Sequence, residues 1–278
     1  MKDQIQGLSE YFRDKPECVS DIPSCMLPPD RVEAYRSISR LAMVEIAGRD
    51  SVAAAMEAVN QEGFTDLLPT YAYTGTEYGS WSSVGDAVKR LVERLPHIRV
   101  HPLLVIGSPR FWQALNGRFM SELIAAYGVF SPCIGCHLYL HSVRIPLAVS
   151  LGRIPIISGE RERHDHAIKI NQIGEALSRY EALVAEFGVR LLLPLRHILD
   201  GQRIGEILGI PWKEGKEQLG CVLSGNYRGV DGSVDMTGEE AAQYLDGFAC
   251  PATRKIIAAY TKGQVPDHLN IAARVLAP

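Results

Sequence analysis

The sequence predicts an α/β protein: a doubly wound, parallel five-stranded sheet with a small C-terminal extension. Three observations carry this expectation. Five short apolar runs, at 43–46, 67–73, 100–106, 154–157 and 189–193, read as buried strands. Segments with helical spacing of apolar residues separate them, and strands that alternate with such helices pair in parallel. Polar, glycine-containing loops follow three of the runs, at 46–51, 74–79 and 158–166. Right-handed crossovers place all three loops on the sheet edge where open α/β sheets bind ligands.

Composition narrows the function classes. The 278 residues are 46% hydrophobic, enough for a substantial core. No apolar run reaches the about eighteen residues of a membrane span. The N-terminus, Met1-Lys2-Asp3-Gln4-Ile5-Gln6, lacks the apolar core of a signal peptide. A cytoplasmic location and no membrane partner are therefore expected. A net charge of −3 does not demand nucleic acid as a partner. Basic residues cluster at Lys89, Arg90, Arg94 and Arg99, read as a solvated helix face, and again at Arg161, Arg163 and Lys169. Six cysteines in such a chain are expected to be free, metal-bound or catalytic rather than paired in structural disulfides.

In chain order, residues 1–41 form an irregular lead-in that ends in a helix over 31–41. Residues 42–209 form a nucleotide-binding domain, and 210–278 an extension. The first strand runs into Ile46-Ala47-Gly48-Arg49-Asp50-Ser51 and an alanine-rich helix that ends near Gly63. Small residues let the backbone approach a ligand. Asp50 or Ser51 caps the helix, whose unpaired N–H groups and positive dipole end favour an anion such as phosphate. An ordinary strand-to-helix turn looks the same. The second strand opens onto Thr74-Gly75-Thr76-Glu77-Tyr78-Gly79. Ser82 or Ser83 then caps a helix with Val84, Val88, Leu91, Val92 and Leu95 at helical spacing. A helix over 110–127 follows the third strand, and Pro132-Cys133-Ile134-Gly135-Cys136 opens another that reaches about Leu151. The fourth strand ends at Ser158-Gly159-Glu160-Arg161, before a long amphipathic helix closed near Gly188. Further on, 220–227 is a glycine-flanked loop, and Thr237-Gly238-Glu239-Glu240 is a capping box.

These loops, in this order, resemble the PP-loop ATP pyrophosphatase superfamily, the adenine nucleotide alpha hydrolase-like proteins of Rossmann-like, HUP-like fold. That family's Ser-Gly-Gly-x-Asp-Ser motif corresponds to Ile46-Ala47-Gly48-Arg49-Asp50-Ser51. Gly48, Asp50 and Ser51 match; Ile46 and Ala47 depart. Thr74-Gly75-Thr76-Glu77 is similar to the Asp-Thr-Gly-x-x-x-Pro-Glu-Thr loop of the sulfonucleotide reductases. Ser158-Gly159-Glu160-Arg161-Glu162-Arg163 is similar to their Thr-Gly-x-Arg-x-x-Gln-Ser loop. Leu193-Pro194-Leu195-Arg196-His197-Ile198-Leu199 is similar to their Pro-Leu segment. The resemblance implies ATP binding, cleavage between the α and β phosphates, and adenylation of a carbonyl oxygen, from which a nucleophile displaces AMP. It implies that Ala47, Gly48, Arg49, Asp50 and Ser51 hold the pyrophosphate, with Tyr73, Thr74, Gly75, Gly159 and Arg163 completing the nucleotide site. Asp50 would help to hold Mg²⁺, while Arg49 and Arg161 or Arg163 stabilise developing charge.

Cys133 and Cys136 form a Cys-x-x-Cys pair at a helix N-terminus, a position that favours the thiolate. A redox or persulfide-carrying pair, a metal or iron–sulfur site with Cys221, and two small buried residues all fit a thiol pair alone. The arrangement also resembles the PP-loop tRNA thiolases, in which three cysteines hold a 4Fe–4S cluster (written [4Fe-4S]) with one iron open for sulfur. That implies Cys133, Cys136 and Cys221 as ligands, with Cys133 and Cys221 at the chemistry. It also implies a sulfur donor and a tRNA or small-molecule acceptor. The zinc-ribbon cysteines of those thiolases are missing here. Cys250 reads as a core thiol, and Cys18 and Cys25 have no ligand partner nearby in sequence. Cys133-Ile134-Gly135-Cys136-His137 also matches the c-type haem pattern, which needs export. His164, Asp165 and His166 read as a polar loop, because a spacing of two does not put both rings on one helix face. The expected function is ATP-dependent sulfur transfer. A thiol-dependent enzyme like the sulfonucleotide reductases and a non-catalytic nucleotide-binding module are the alternatives, and a homodimer is compatible with the sequence.

Overall fold

The computed structural model describes residues 19–20, 27–128, 130–164, 167–212, 217–234 and 236–277. The readings at Cys18, Cys25, Asp165 and His166 lie outside the described residues. The strands, in chain order, are β1 (Val19–Ser20), β2 (Leu41–Glu45), β3 (Asp66–Tyr73), β4 (Glu77–Tyr78), β5 (Arg99–Val100), β6 (Leu104–Gly107), β7 (Ile156–Ile157), β8 (Leu191–Leu192) and β9 (Gly220–Cys221).

One parallel sheet runs in the order β1-β6-β3-β2-β7-β8, with β5 also paired to β3. β2 and β3 are its centre, in register from Leu41↔Asp66 to Glu45↔Thr70. The fold is the expected doubly wound α/β type, but the sheet has seven strand segments rather than five. β1 adds an edge. The third run splits into β5 and β6 because Pro102 lies between them and has no N–H for the ladder. From β2 the chain winds outward through β3 and β6, and in the other direction through β7 and β8. The order therefore reverses between β2 and β7, and their C-terminal ends flank the ligand crevice.

Adjacent residues of β2 serve opposite faces, as strand geometry requires. Ala42 and Val44 pack with Val52, Leu67, Val84, Leu91 and Ile204. Met43 packs with Leu68, Ile106, Leu138, Leu177, Tyr244, Phe248 and Ile256. Residues beyond 209 thus share the core of the sheet's second face. Thr237 and Glu240 cap their helix reciprocally, with Thr237 N to Glu240 Oε2 at 2.7 Å and Glu240 N to Thr237 Oγ1 at 3.2 Å.

Several helices differ from expectation. The first is Pro29–Arg36, because Leu41 already belongs to β2. The helix Ser82–Arg94 starts without a serine side-chain cap; Ser83 Oγ donates instead to Ser80 O at 2.8 Å. The stretch 110–127 is two helices, Pro109–Asn116 and Met120–Tyr127, with Gly117 ending the first. The stretch 132–151 is also two, Pro132–Ser142 and Ile145–Ser150, and Pro146 near the start of the second cannot continue the first. The helix after β7 begins only at Gly174 and ends at Ala185. Before it, the side chains of Glu160, Arg161 and His164 turn inward and are buried.

β4 and β9 form a separate antiparallel pair, Glu77↔Cys221 and Tyr78↔Gly220. This pair draws the late cysteine loop onto the loop after β3. Among the described residues, no helix is long and apolar enough to cross a membrane.

Candidate functional site

A cleft of about 490 Å³ opens at the C-terminal ends of β2 and β7. Ala47, Gly48, Arg49, Asp50, Ser51, Thr74, Gly159, Cys133, Cys136 and Cys221 all line it. Tyr73, Gly75, Arg161 and Arg163 are outside its lining. Tyr73 stands beside it, its carbonyl accepting from Tyr139 Oη at 2.8 Å. Arg163 is exposed and Arg161 is fully buried.

β2 ends where the chain turns into the helix Arg49–Glu62, with Gly48 as the N-cap. Ser51 makes the cap. Its Oγ accepts from Ala47 N at 3.0 Å and Gly48 N at 3.1 Å, and donates to Gly48 O at 2.7 Å. The N–H groups of Ala47 and Gly48 are therefore engaged within the loop, and the positive end of the helix faces the cleft. Gly159 lies against this turn. A Cβ there would stand 2.7 Å from Ser51 N and from the Asp50 carbonyl carbon, so only glycine permits the approach.

Asp50 is held on both sides. Arg49 Nε meets its Oδ1 and Arg161 Nε its Oδ2, each at 2.9 Å. Arg161 Nη2 also lies 3.0 Å from His164 Nδ1, and His164 Nε2 meets Gln172 Oε1. Burial, then Lys169 and Arg161, lower the His164 pKa, so a neutral ring accepts from Arg161.

The loop after β3 is organised by Glu77. Its Oε1 accepts from Thr74 N at 2.7 Å and Thr74 Oγ1 at 2.9 Å, and its Oε2 from Gly75 N at 2.8 Å. Thr76 Oγ1 lies 3.2 Å from Cys221 Sγ. Cys133 and Cys136 occupy the start of the helix Pro132–Ser142. Cys133 Sγ donates to Leu223 O at 3.4 Å, and Trp112 Nε1 donates to Cys136 Sγ at 3.3 Å. Leu223 N donates to Cys221 Sγ at 3.4 Å.

Burial raises the pKa of Cys133 and of Cys136, and the proximity of Cys221 adds to both. The expected lowering at a helix N-terminus is thus outweighed. Cys250 is a buried thiol, pushed up to about 12 by burial. Among the described residues, no three His, Cys, Asp or Glu side chains are grouped to hold a metal ion.

The structure adds residues that sequence reasoning missed. Glu45, the last residue of β2, meets His141 Nδ1 at 3.0 Å through Oε1, and Arg144 Nη1 at 3.5 Å. Arg144 Nε also donates to Thr70 Oγ1 at 2.7 Å. His137 Nδ1 lies 2.6 Å from Glu160 Oε1, and its Nε2 lies 2.8 Å from Asn171 Nδ2. His141 Nε2 is 3.6 Å from the same Glu160 oxygen. Burial opposes ionisation of Glu160, but His137 and His141 outweigh it and lower its pKa. Burial likewise opposes a charged His141, yet Glu45 and Glu160 raise its pKa.

Two signals were available. A glutamate inside an apolar strand needs a buried partner. Cys133, His137 and His141 recur every fourth residue, which places them on one helix face. The first basic cluster is not wholly solvated either, since Arg90 lies 4.1 Å over the Trp212 ring.

No family model matches the chain. The uncharacterized protein MJ0009 of Methanocaldococcus jannaschii is 40% identical over 246 residues, 86% of this chain and 87% of that protein. Among solved structures, the U34-tRNA thiolase NcsA from Methanococcus maripaludis with its 4Fe–4S cluster is similar at a TM-score of 0.39 and 13% identity, over 91% of this chain and 80% of that one. A predicted subunit of tRNA methyltransferase from Methanocaldococcus jannaschii is similar at a TM-score of 0.37 and 11% identity, over 61% of this chain and 73% of that one.

Proposed function

The chain belongs to the family of MJ0009, and from the cleft its fold builds we propose that it is an ATP-dependent sulfur transferase. ATP phosphates would lie on the first turn of the helix Arg49–Glu62, where the helix dipole favours negative charge. A carbonyl oxygen of the acceptor attacks the α phosphate and pyrophosphate leaves. A sulfur nucleophile then adds to that carbon, and AMP departs with the oxygen. Asp50 would help to hold Mg²⁺, which would offset phosphate charge. Arg49 and Arg161, already oriented by Asp50, would offset the charge that develops.

Cys133, Cys136 and Cys221 fit the ligand set of a 4Fe–4S cluster. They are partly exposed free thiols lining one cleft. Trp112 Nε1–H and Leu223 N–H already point at two of the sulfurs, and backbone groups of Gly225 and Asn226 favour the Cys133 thiolate. Such a cluster supplies an iron open to sulfur. The acceptor is a tRNA or a small molecule bearing an amide-like carbonyl.

The observation that carries the reading is the β4–β9 pair, which brings Cys221 into the cleft that holds the other two thiols and the phosphate loop. Anaerobic reconstitution should load about four irons per chain, lost in Cys221→Ala. An iron-free protein after reconstitution sinks the cluster. Pyrophosphate release from ATP, with bulk tRNA as acceptor, should vanish in Asp50→Ala, and unchanged release sinks the site assignment. One observation favours a second reading, nucleotide binding without turnover: Ala47 N and Gly48 N are engaged by Ser51. Tight ATP binding with no pyrophosphate release would support it.

A further inference from the structure

Gly48 has an extended backbone, φ −173°, which any residue adopts. What a larger residue would meet there is one side chain. A Cβ at Gly48 would stand 2.4 Å from Gln218 Oε1 and 3.0 Å from Gln218 Cβ. The segment after residue 216 therefore rests on the phosphate loop through one carboxamide side chain. Three residues later the same segment carries Cys221.

Around these points Leu219 packs at the edge of the core and Glu217 pairs with Arg90, while the stretch that carries Cys221 is held mainly by a short strand pair. β9 pairs with β4 over two residues, and Val222 N donates to Thr76 O at 3.0 Å. A pair this short has little stability of its own. Val222 is 68% exposed, so the core does not hold the segment there. At its far end the segment meets the cysteine helix, through Cys133 Sγ to Leu223 O at 3.4 Å and Ser131 Oγ to Asn226 Oδ1 at 2.9 Å.

We propose that Gln218 is a nucleotide-contacting residue that couples occupancy of the phosphate loop to the placement of Cys221. The coupling rests on the nucleotide reading above. A phosphate on the first turn of the helix Arg49–Glu62 lies beside the Gln218 carboxamide. The amide N–H donates to a phosphate oxygen, and the bond fixes one end of the lever whose other end is the third thiol. Nucleotide binding thus orders the thiol loop before sulfur is transferred. Without nucleotide, Gln218 still covers the loop.

Hydrogen–deuterium exchange on the full chain tests this, with the non-cleavable probe adenosine 5′-(α,β-methylene)triphosphate. At about ten times its Kd, exchange in 46–52 should slow by up to about tenfold, one plus the ratio of ligand to Kd. Peptides covering 217–227 should slow with it. In Gln218→Ala, at matched saturation, 46–52 should remain protected while 217–227 exchanges at the ligand-free rate. Gln218→Glu, which sets a carboxylate against the phosphates, should weaken the analogue by about tenfold or more. Equal slowing of 217–227 in Gln218→Ala overturns the coupling, as does protection of 46–52 alone in the unaltered chain. Absence of any protection at 46–52 overturns the nucleotide reading, and the coupling with it.

Discussion

Replacing Glu45 by glutamine should destabilise the protein by at least about 3 kcal/mol at neutral pH. Glu45 is 8% exposed at the C-terminal end of the central strand. Burial alone would raise its pKa, but Arg144, His141 and a hydrogen bond from Ser158 outweigh it and bring the carboxyl from 4.5 to about 2. A group whose folded pKa is depressed stabilises the protein above its unfolded pKa and loses that contribution as pH falls through the folded value. At about 1.4 kcal/mol per unit, the gap is worth about 3 kcal/mol. Glutamine keeps the shape and removes the charge, which leaves Arg144 and His141 without their carboxylate, and breaking a buried pair typically costs about 3–5 kcal/mol. His141 adds the opposite dependence. Its raised pKa stabilises the fold below the unfolded value and is lost as pH rises through the folded one, a contribution that weakens in the variant. Urea unfolding of both proteins from acid to mild alkali, followed by tryptophan fluorescence, measures the difference. The gap should be fullest between about pH 5 and 6.5, shrink somewhat in mild alkali as His141 loses its proton, and close steadily below about pH 4.5. A small gap independent of pH, or a variant more stable at neutrality, would refute the reasoning.

Two glycines separate backbone from side-chain obstruction. In Gly159→Ala the new Cβ meets Ser51 N and the Asp50 carbonyl carbon at 2.7 Å. Because that is backbone, the variant should lose about 1–3 kcal/mol on urea unfolding and bind pyrophosphate more weakly by calorimetry. Gly48→Ala meets only the Gln218 side chain, so its unfolding midpoint should stay within about 0.5 kcal/mol of the unaltered chain. In Gly135→Ala, between the paired cysteines, the Cβ would stand 2.3 Å from Asn116 Oδ1 and 2.5 Å from Tyr244 Oη. Both neighbours are buried, so a Tm loss equivalent to about 1–3 kcal/mol is expected; an unchanged Tm would show that the helix shifts freely there.

The sheet and the cleft at its edge were legible because they depend on local signals, namely apolar runs, helical spacing and polar glycine loops. What was not legible depends on contacts between distant residues. Helical spacing continues through Gly117 and through Val143–Arg144, where the chain breaks to bury Arg144 against Thr70. The long helix expected after the loop 158–166 begins only at Gly174. In that loop several polar side chains are buried, with Arg161 on Asp50 and Glu160 on His137, which local spacing does not reveal. The β4–β9 pair spans two residues on each side and leaves no period to read, although it alone explains how Cys221 reaches the loop after β3. The thiol pKa direction was missed for a related reason. Helix position is visible in sequence, whereas the burial that outweighs it is not.

The helix Pro132–Ser142 ties these parts together. Cys133 sits at its start, His137 and His141 follow at intervals of one turn, and Arg144 lies just beyond its end. Glu160 comes from the loop after β7 and Glu45 from the end of β2, the two strands that flank the crevice. Each carboxylate meets the helix through histidine, so the helix is clamped to both strands by buried charge. Apolar packing alone tolerates small slides of a helix on a sheet, because Leu138 and Ile134 find similar neighbours a short distance away. Buried ion pairs do not, since a displaced carboxylate is left desolvated and unpaired. The network therefore sets the position of the two thiols relative to the phosphate loop. Cys221 is held more lightly, by a short strand pair and by Gln218 resting on Gly48. Two sulfurs on a helix clamped by buried charge and a third on a lightly held loop are the arrangement on which the proposed coupling of Gln218 to Cys221 would act.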